Sequence, residues 1–365
     1  MYQIKNHILP SWLPNELPRE ISRVTMANLP TPIQRLHFSD SILPRELEIE
    51  LYIKRDDYSG SELSGNKIRK LEFILADVLS KGFDSIVTLG GIQSNHCRAT
   101  VAAANALGLE AHVVLRTSRF AVDDDPGLAG NLLISRMANA HIHLVTKEEY
   151  ARYGQSELGN RVVDKLRSAG KNPYFIVVGG SSALGTYGYV NCVQELEQQQ
   201  DNDRPFDKIA VACGSGGTVA GIALGLFFNP KFNCTTTLDA IMVCDHVEYF
   251  TDYIVDVFAD LGLEDARARE VLERTTTFVQ GKGAGYSISK DEELDTILAV
   301  ASETSICLDP TYTGKALHYL LKHICANPDE YRGKKILFLH TGGIGSLYGN
   351  EALEKRIGGS YARLL

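Results

Sequence analysis

The sequence has no surplus of positive charge, no long apolar run, no Cys-x-x-Cys pair, and no internal repeat or low-complexity tract. Each absence removes a class of function. Lys and Arg number 37 against 45 Asp and Glu, for a net charge of -8, and they form no basic stripe. Nucleic acid and anionic membrane surfaces are therefore not expected partners. The most apolar window, Val101 to Leu115, is interrupted by Asn105, Glu110 and His112. It reads as a helix followed by a strand, not as a membrane span. Met1 to His7 has neither the basic start and apolar core of a secretory leader nor the Arg/Ser-rich character of a transit segment. The seven cysteines (Cys97, Cys192, Cys213, Cys234, Cys244, Cys307 and Cys325) are scattered and odd in number. Neither a disulfide framework nor a zinc site is expected, and a reducing cytoplasm is the expected location. No Gly-Lys-Ser/Thr is present, which excludes a P-loop.

What is present is an ordinary globular composition, 44% hydrophobic and 22% charged over 365 residues, long enough for two domains. Prolines 10, 14, 18, 30, 32 and 44 mark residues 1–50 as an extended segment with little periodic structure. Leu47 to Arg55 alternates like a strand. From Asn66 the pattern alternates between helices and strands. Helices are expected over 66–80, 95–107, 126–138, 157–169 and 188–200, with strands at 84–89, 111–115, 141–145 and 174–178. After the polar turn 198–203, strands at 207–213, 238–243 and 335–340 alternate with helices at 218–228, 247–261, 264–273, 291–303 and 314–325. This is the signature of an α/β fold with parallel, twisted sheets flanked by helices. Two runs of unequal size imply two α/β domains with a cleft between them. Ligands would then bind beyond the carboxyl ends of the strands, where the glycine-rich loops after Leu89, Val178, Cys213 and His340 lie.

Several stretches carry chemistry. In Ser61–Glu72 a Gly65-Asn66 turn delivers Lys67 to the first turn of a helix, where the backbone N–H groups disfavour an ammonium charge. Lys70, three residues on, adds a second cation on the same face, so Lys67 reads either as a neutral, nucleophilic amine or as part of a solvated basic helix start. Lys315, after a Thr-Gly turn, is a rival on composition alone. Cys213-Gly214-Ser215-Gly216-Gly217-Thr218 follows a strand and opens a helix, the arrangement that turns several N–H groups towards one anion. A dinucleotide fingerprint would want glycine where Val219 stands, so a small phosphorylated cofactor fits better than NAD. Gly90-Gly91-Ile92-Gln93-Ser94-Asn95-His96 is a second loop before a helix. Ser94 suits an N-cap, and its neighbours suit a substrate carboxylate.

Together these segments resemble the pyridoxal phosphate (PLP) family that contains 1-aminocyclopropane-1-carboxylate (ACC) deaminase and D-cysteine desulfhydrase, from about Leu29 to the C-terminus. The resemblance implies the two-domain fold type II of tryptophan synthase β-like enzymes. The large domain would comprise 1–69 with 191–365, and 70–190 would be inserted in it. It further implies that Lys67 holds PLP as a Schiff base. Lys70 and the Cys213–Thr218 loop (Cys213, Gly214, Ser215, Gly216, Gly217, Thr218) would hold its phosphate, and Asn95 its phenolic oxygen. Ser94 would take part in proton transfer, and His96 would lie near the substrate carboxylate. Tyr286 and Tyr312 would line the substrate pocket and serve catalysis, with Thr313 beside them. A homodimer acting on a small amino acid is also implied.

Two positions depart from the ACC deaminases, which carry glutamate at Thr313 and leucine at Thr341. A hydroxyl near the ring nitrogen makes the cofactor a weaker electron sink than a carboxylate would. This threonine pair resembles the D-cysteine desulfhydrases, with Thr341 facing the ring nitrogen. The expected reaction is β-elimination of D-cysteine to pyruvate, hydrogen sulfide and ammonia, with Lys67 or Ser94 removing the Cα proton. The alternatives are ACC deamination, L-cysteate sulfo-lysis, a PLP-binding module without turnover, and a nicotinamide oxidoreductase, the last weakened by Val219. L-Cysteate would favour an added cation in the pocket, and the sequence does not place one.

Overall fold

A computed structural model describes residues 2–118, 122–199 and 204–357, so residues 200–203 of the expected polar turn lie outside it. Strands β1 (Ile4–Ile8) and β2 (Glu20–Val24) form an antiparallel pair. Next come β3 (Ile33–Arg35), β4 (Glu50–Arg55), β5 (Ser85–Gly91), β6 (Glu110–Thr117), β7 (His141–Thr146) and β8 (Pro173–Phe175). The series ends with β9 (Lys208–Cys213), β10 (Thr237–Met242), β11 (Thr276–Gln280) and β12 (Lys335–His340). One six-stranded sheet runs β11-β10-β9-β12-β4-β3, with only β3 antiparallel. A four-stranded, wholly parallel sheet runs β7-β6-β5-β8. Every residue of β9 and β12 is buried, as expected of central parallel strands covered on both faces.

The main helices are α1 (Asn66–Ser80), α2 (Asn95–Ala106), α3 (Gly130–Met137), α4 (Lys147–Ser168) and α5 (Ala183–Gln199). They continue with α6 (Gly217–Phe228), α7 (Val247–Asp260), α8 (Asp265–Thr275), α9 (Asp291–Thr304) and α10 (Thr313–Ala326). The α1 and β12 limits coincide with the expected ones. Residues 1–50 are more ordered than their prolines suggested, since β1, β2 and β3 all fall there. Helix α4 starts ten residues before the expected Glu157, on a Thr146–Glu149 capping box, and is interrupted at Gly154 (φ 73). None of residues 147–157 is fully buried, so they carry no apolar period to read. The expected domain limits at 69/70 and 190/191 fall within continuous helices, α1 and α5. Ile68, Leu71, Ile74, Leu75 and Val78 of α1 pack with β5 and β6, whereas Tyr189, Val190, Val193 and Leu196 of α5 pack with α6 and β9.

The start of α1 is held by buried charge. Arg69 forms a bidentate pair with Asp56 (2.8 and 2.9 Å) and also reaches Glu195 (2.9 Å), which Lys54 contacts at 2.5 Å. Tyr189 donates to Asp56 at 2.7 Å. One turn on, Glu72 accepts from the Ala27 backbone N–H (2.7 Å) and from Arg23 (2.8 Å). With both faces of its first turns fixed, α1 presents Lys67 from a rigid base.

Candidate active site

The carboxyl ends of strands from both sheets converge on one cleft of about 500 Å³. Gly90 and Gly91 end β5, Arg116 comes from the end of β6, and Gly179 follows β8. Gly214 and Ser215 follow β9, Cys244 and Asp245 follow β10, and Lys282 follows β11. At the base of the cleft is a tighter recess lined by Asn66, Lys67, Asn95, Cys213, Gly214, Ser215, Gly216, Thr218, Tyr312 and Thr341. Lys67 and Tyr312 line both spaces, so the lysine stands where the recess opens into the cleft.

The three candidate lysines are separated by their partners. Lys315 is fully buried and donates to the carbonyls of Lys282 (2.8 Å), Gly285 (3.2 Å) and Ile288 (2.8 Å), with Glu293 at 3.2 Å. It fastens the loop that carries Tyr286, and its amine is not free to react. Lys70 donates to the carbonyl of Gly179 (3.3 Å) and to Ser181 Oγ (3.5 Å), and it lines neither space. It thus stands one hydroxyl behind the glycine loop, not directly on it. Lys67 makes no hydrogen bond among the described residues, and burial pulls its amine down to about 8. Lys70 is not the cause of that shift. Its own amine is held far below the usual range, first by burial and then by the charge of Lys67.

The turn before Lys67 is built to close approach. Gly65 (φ 101) packs so tightly on the Thr341 carbonyl that an added Cβ would sit 2.6 Å from that oxygen, and Asn66 N donates to the same carbonyl at 3.1 Å. Asn66 Nδ2 donates to Thr218 Oγ1 (3.0 Å), tying α1 to the glycine loop. In that loop, Gly216 (φ 80) caps α6 without a side-chain acceptor. A Cβ on Gly214 would meet Tyr312 at 2.7 Å, and one on Gly217 would meet Ser181 Oγ at 2.6 Å. Ser181 Oγ accepts from Gly217 N (3.2 Å) and lies 2.8 Å from Ser215 Oγ. Bare backbone at a helix start, flanked by hydroxyls with a buried lysine behind them, suits a phosphate. An amine a short way off suits an aldehyde. The lining of the recess therefore suits, by its chemistry, the phosphate and aldehyde of a small organic phosphate such as PLP, with the wider cleft beside it.

The N-terminus of α2 forms the opposite wall. Ser94 caps it, accepting from Cys97 N at 3.1 Å, and also lines the cleft. Asn95 Oδ1 accepts from Asn131 Nδ2 (2.8 Å), and Asn131 Oδ1 accepts from Arg98 Nε (3.1 Å). That relay leaves the Asn95 NH₂ group as the donor available to the recess. Arg98 also donates to the carbonyls of Ser64 (3.0 Å) and Glu62, so it straps the turn before Lys67 to α2. Thr88 donates to the Ile176 carbonyl (2.9 Å) and so receives the Nε2–H of His96 (2.9 Å). Burial, then Lys67 and Lys70, keep the imidazole neutral, so His96 lines the cleft without positive charge.

Tyr286 and Tyr312 share a 2.6 Å hydrogen bond between their hydroxyls, and both face the cleft. Burial raises both phenols, so they remain protonated donors. The structure does not bring Thr313 to the wall of either space. Thr313 is fully buried and gives its hydroxyl to Asp309 Oδ1 at 2.8 Å. Asp309 also accepts the N–H groups of Thr311, Tyr312 and Thr313, so this pair shapes the start of α10. Thr341, by contrast, lines the recess. The sequence also left cations unplaced, and the structure brings Arg116 and Lys282 into the cleft. Arg116 lies against the rings of Tyr150 (4.6 Å) and Tyr286 (5.8 Å) and has no ion-pair partner among the described residues. Its one sequence signal was its place at the carboxyl end of a strand. Asn131 and Arg98 gave no signal, since only tertiary packing joins them to the site.

The family model for pyridoxal-phosphate dependent enzymes matches residues 24–342. A mitochondrial bifunctional D-cysteine desulfhydrase/1-aminocyclopropane-1-carboxylate deaminase of Arabidopsis thaliana is 44% identical over 359 residues, covering 97% of this chain and 86% of its own. A D-cysteine desulfhydrase of Serratia proteamaculans is 34% identical over 330 residues, covering 90% of this chain and 96% of its own. The crystal structure of an ACC deaminase homologue, 34% identical, superposes with a TM-score of 0.75 over 91% of this chain and 95% of that one.

Proposed function

We propose, from the premise that this chain belongs to the pyridoxal-phosphate dependent enzymes with fold type II, that it is a carbon–sulfur lyase converting D-cysteine to pyruvate, hydrogen sulfide and ammonia. The observation that carries the site assignment is the contrast among lysines. Lys67 alone of the three candidates combines an unbonded amine, a lowered pKa of about 8 and a place where recess meets cleft. The reaction itself rests on the two relatives named for D-cysteine desulfhydration.

When bound, PLP supplies an aldehyde for the substrate amine and a ring that takes up the electrons left at Cα. The glycine loop, Ser215 and Thr218 would hold its phosphate end, Asn95 would donate to its phenolic oxygen, and Thr341 would offer its ring nitrogen a neutral hydroxyl. Ser94 and the first N–H groups of α2 orient the substrate carboxylate. Lys67 would receive the Cα proton through its neutral amine as the Cβ–S bond breaks, with Ser94, which lines the same cleft, as the other candidate. The Tyr286–Tyr312 pair, held protonated, gives a proton to the departing sulfur. The resulting enamine adds water and releases ammonia, which balances the reaction.

Arg116 and Lys282 favour one second reading, a substrate with an additional anion such as L-cysteate. The homodimer implied by the resemblance and the cytoplasmic location expected from the cysteine pattern belong to the same proposal. Seven free thiols accord with a reducing compartment. We also assign the inserted unit to residues from 66 to 182, with its edges at helix starts. Purified protein given D-cysteine, L-cysteine, L-cysteate and ACC in parallel tests the reaction. Sulfide with equimolar pyruvate from D-cysteine alone is the expected result. Sulfite from L-cysteate would favour the second reading, and 2-oxobutanoate as the main product from ACC would overturn the assignment.

A further inference from the structure

Glu110 and His112 broke the apolar window of the sequence, and nothing in the active site uses them. They lie at the start of β6, and β7 pairs beside it with His112 opposite His141 and Val114 opposite His143. The period of two puts Glu110, His112, His141 and His143 on one face of two adjacent strands. Such a position in a parallel sheet ordinarily carries β-branched apolar residues. Here His112 and His141 stack at 4.5 Å and 12°, and the Nε2 atoms of both approach the same oxygen, Glu110 Oε1, at 2.8 and 3.4 Å. The one nitrogen on each ring and the one carboxylate oxygen all lie within 4.8 Å of one another.

We propose that Glu110, His112 and His141 form a site for a divalent transition-metal ion of the zinc class, pinning edge strand β7 to β6 at the end of the small sheet remote from the active site. Two imidazole nitrogens and a carboxylate oxygen are a characteristic ligand set for such an ion, with water completing a tetrahedron. The surroundings support the set. His112 Nδ1 lies 3.2 Å from His143 Nε2, so the ring proton displaced from Nε2 has a place on Nδ1 and an acceptor beyond it. Lys171 takes the other carboxylate oxygen at 2.7 Å, which leaves Oε1 for the ion. His141 is 53% exposed, which gives solvent access. The cysteine pattern speaks only against thiolate sites and is silent on this one. Arg116 lies four steps along β6 from His112, about 13 Å, so the site is structural and not catalytic.

Zinc sulfate titrated calorimetrically into the holoenzyme tests this, comparing the unaltered chain with His141→Ala and Glu110→Gln. The exposed thiols Cys234, Cys307 and Cys325 are common to all three proteins, so the site is read as the difference. The expected result is one further equivalent in the unaltered chain, weakened at least tenfold in each variant, with cofactor absorbance and turnover unchanged. Equal stoichiometry and affinity in all three would show that the histidines form only a hydrogen-bonded cluster about Glu110. His141 is exposed, so its replacement leaves the fold intact and the comparison valid.

Discussion

At the scale of single residues, orientation and protonation decide what the site can do. The Asn95 amide is turned by Asn131, which is turned in its own right by Arg98. Asn131→Asp replaces the NH₂ donor with an acceptor, so Asn95 rotates and presents its oxygen to the phenolic oxygen of the cofactor. The expected loss is about 1.5–3 kcal/mol, roughly ten- to a hundredfold weaker PLP binding. Cofactor titration by absorbance measures it, and unchanged affinity would remove the relay. Lys67 makes a second expectation. Its amine, lowered to about 8 by burial, is nucleophilic only above that value. The rate at which apoenzyme takes up PLP should climb about tenfold per pH unit below pH 7 and level off above pH 8. A rise continuing to pH 10 would mean an ordinary, unshifted lysine. Thr313 shows where residue-level reading fails. Its position was legible, but its partner was not, because Asp309 turns back four residues to take the hydroxyl.

Helices and strands repeat the lesson at their own scale. Helix α1 was legible from end to end because apolar residues recur on one face, at Ile68, Leu71, Ile74, Leu75 and Val78. The first turns of α4 and the short strands β1 to β3 were not, since exposed or edge positions carry no burial period. The anchoring of α1 was equally hidden, because Arg69 looks like any solvated charge next to Lys67 and Lys70. In the fold it is buried between Asp56 and Glu195. Arg69→Met leaves both carboxylates without their main partner, at an expected cost of about 3–5 kcal/mol in urea unfolding of the holoenzyme. A change below 1 kcal/mol would contradict the anchoring role. The same cluster gives a pH dependence. Burial alone would raise Asp56 and Glu195, but Arg69 and Lys54 outweigh it and hold both carboxyls below their ordinary values of 3.8 and 4.5. A carboxyl titrating lower when folded stabilises fully above its unfolded value, and that stability is lost as pH falls through the folded one. Stability should therefore hold down to about pH 4.5 and fall steeply below it, and Arg69→Met should flatten that fall.

For the whole molecule, two parallel sheets aim their carboxyl ends at one cleft, and every loop marked by glycine in the sequence arrives there. The strand–loop–helix grammar of the chain put the glycine loops after Leu89, Val178, Cys213 and His340 at one end of the sheets, and the family resemblance added Lys67, Ser94 and Asn95. It could not supply Arg116, Lys282 or Asn131, whose relation to the site exists only once the sheets are assembled. In the proposed function Lys67, and neither Lys70 nor Lys315, carries the cofactor. Borohydride reduction of the holoenzyme followed by peptide mass spectrometry tests it most directly. The prediction is a single phosphopyridoxyl group on Lys67, and no incorporation in Lys67→Ala. The group on Lys315 or Lys70, or undiminished labelling of Lys67→Ala, would contradict it.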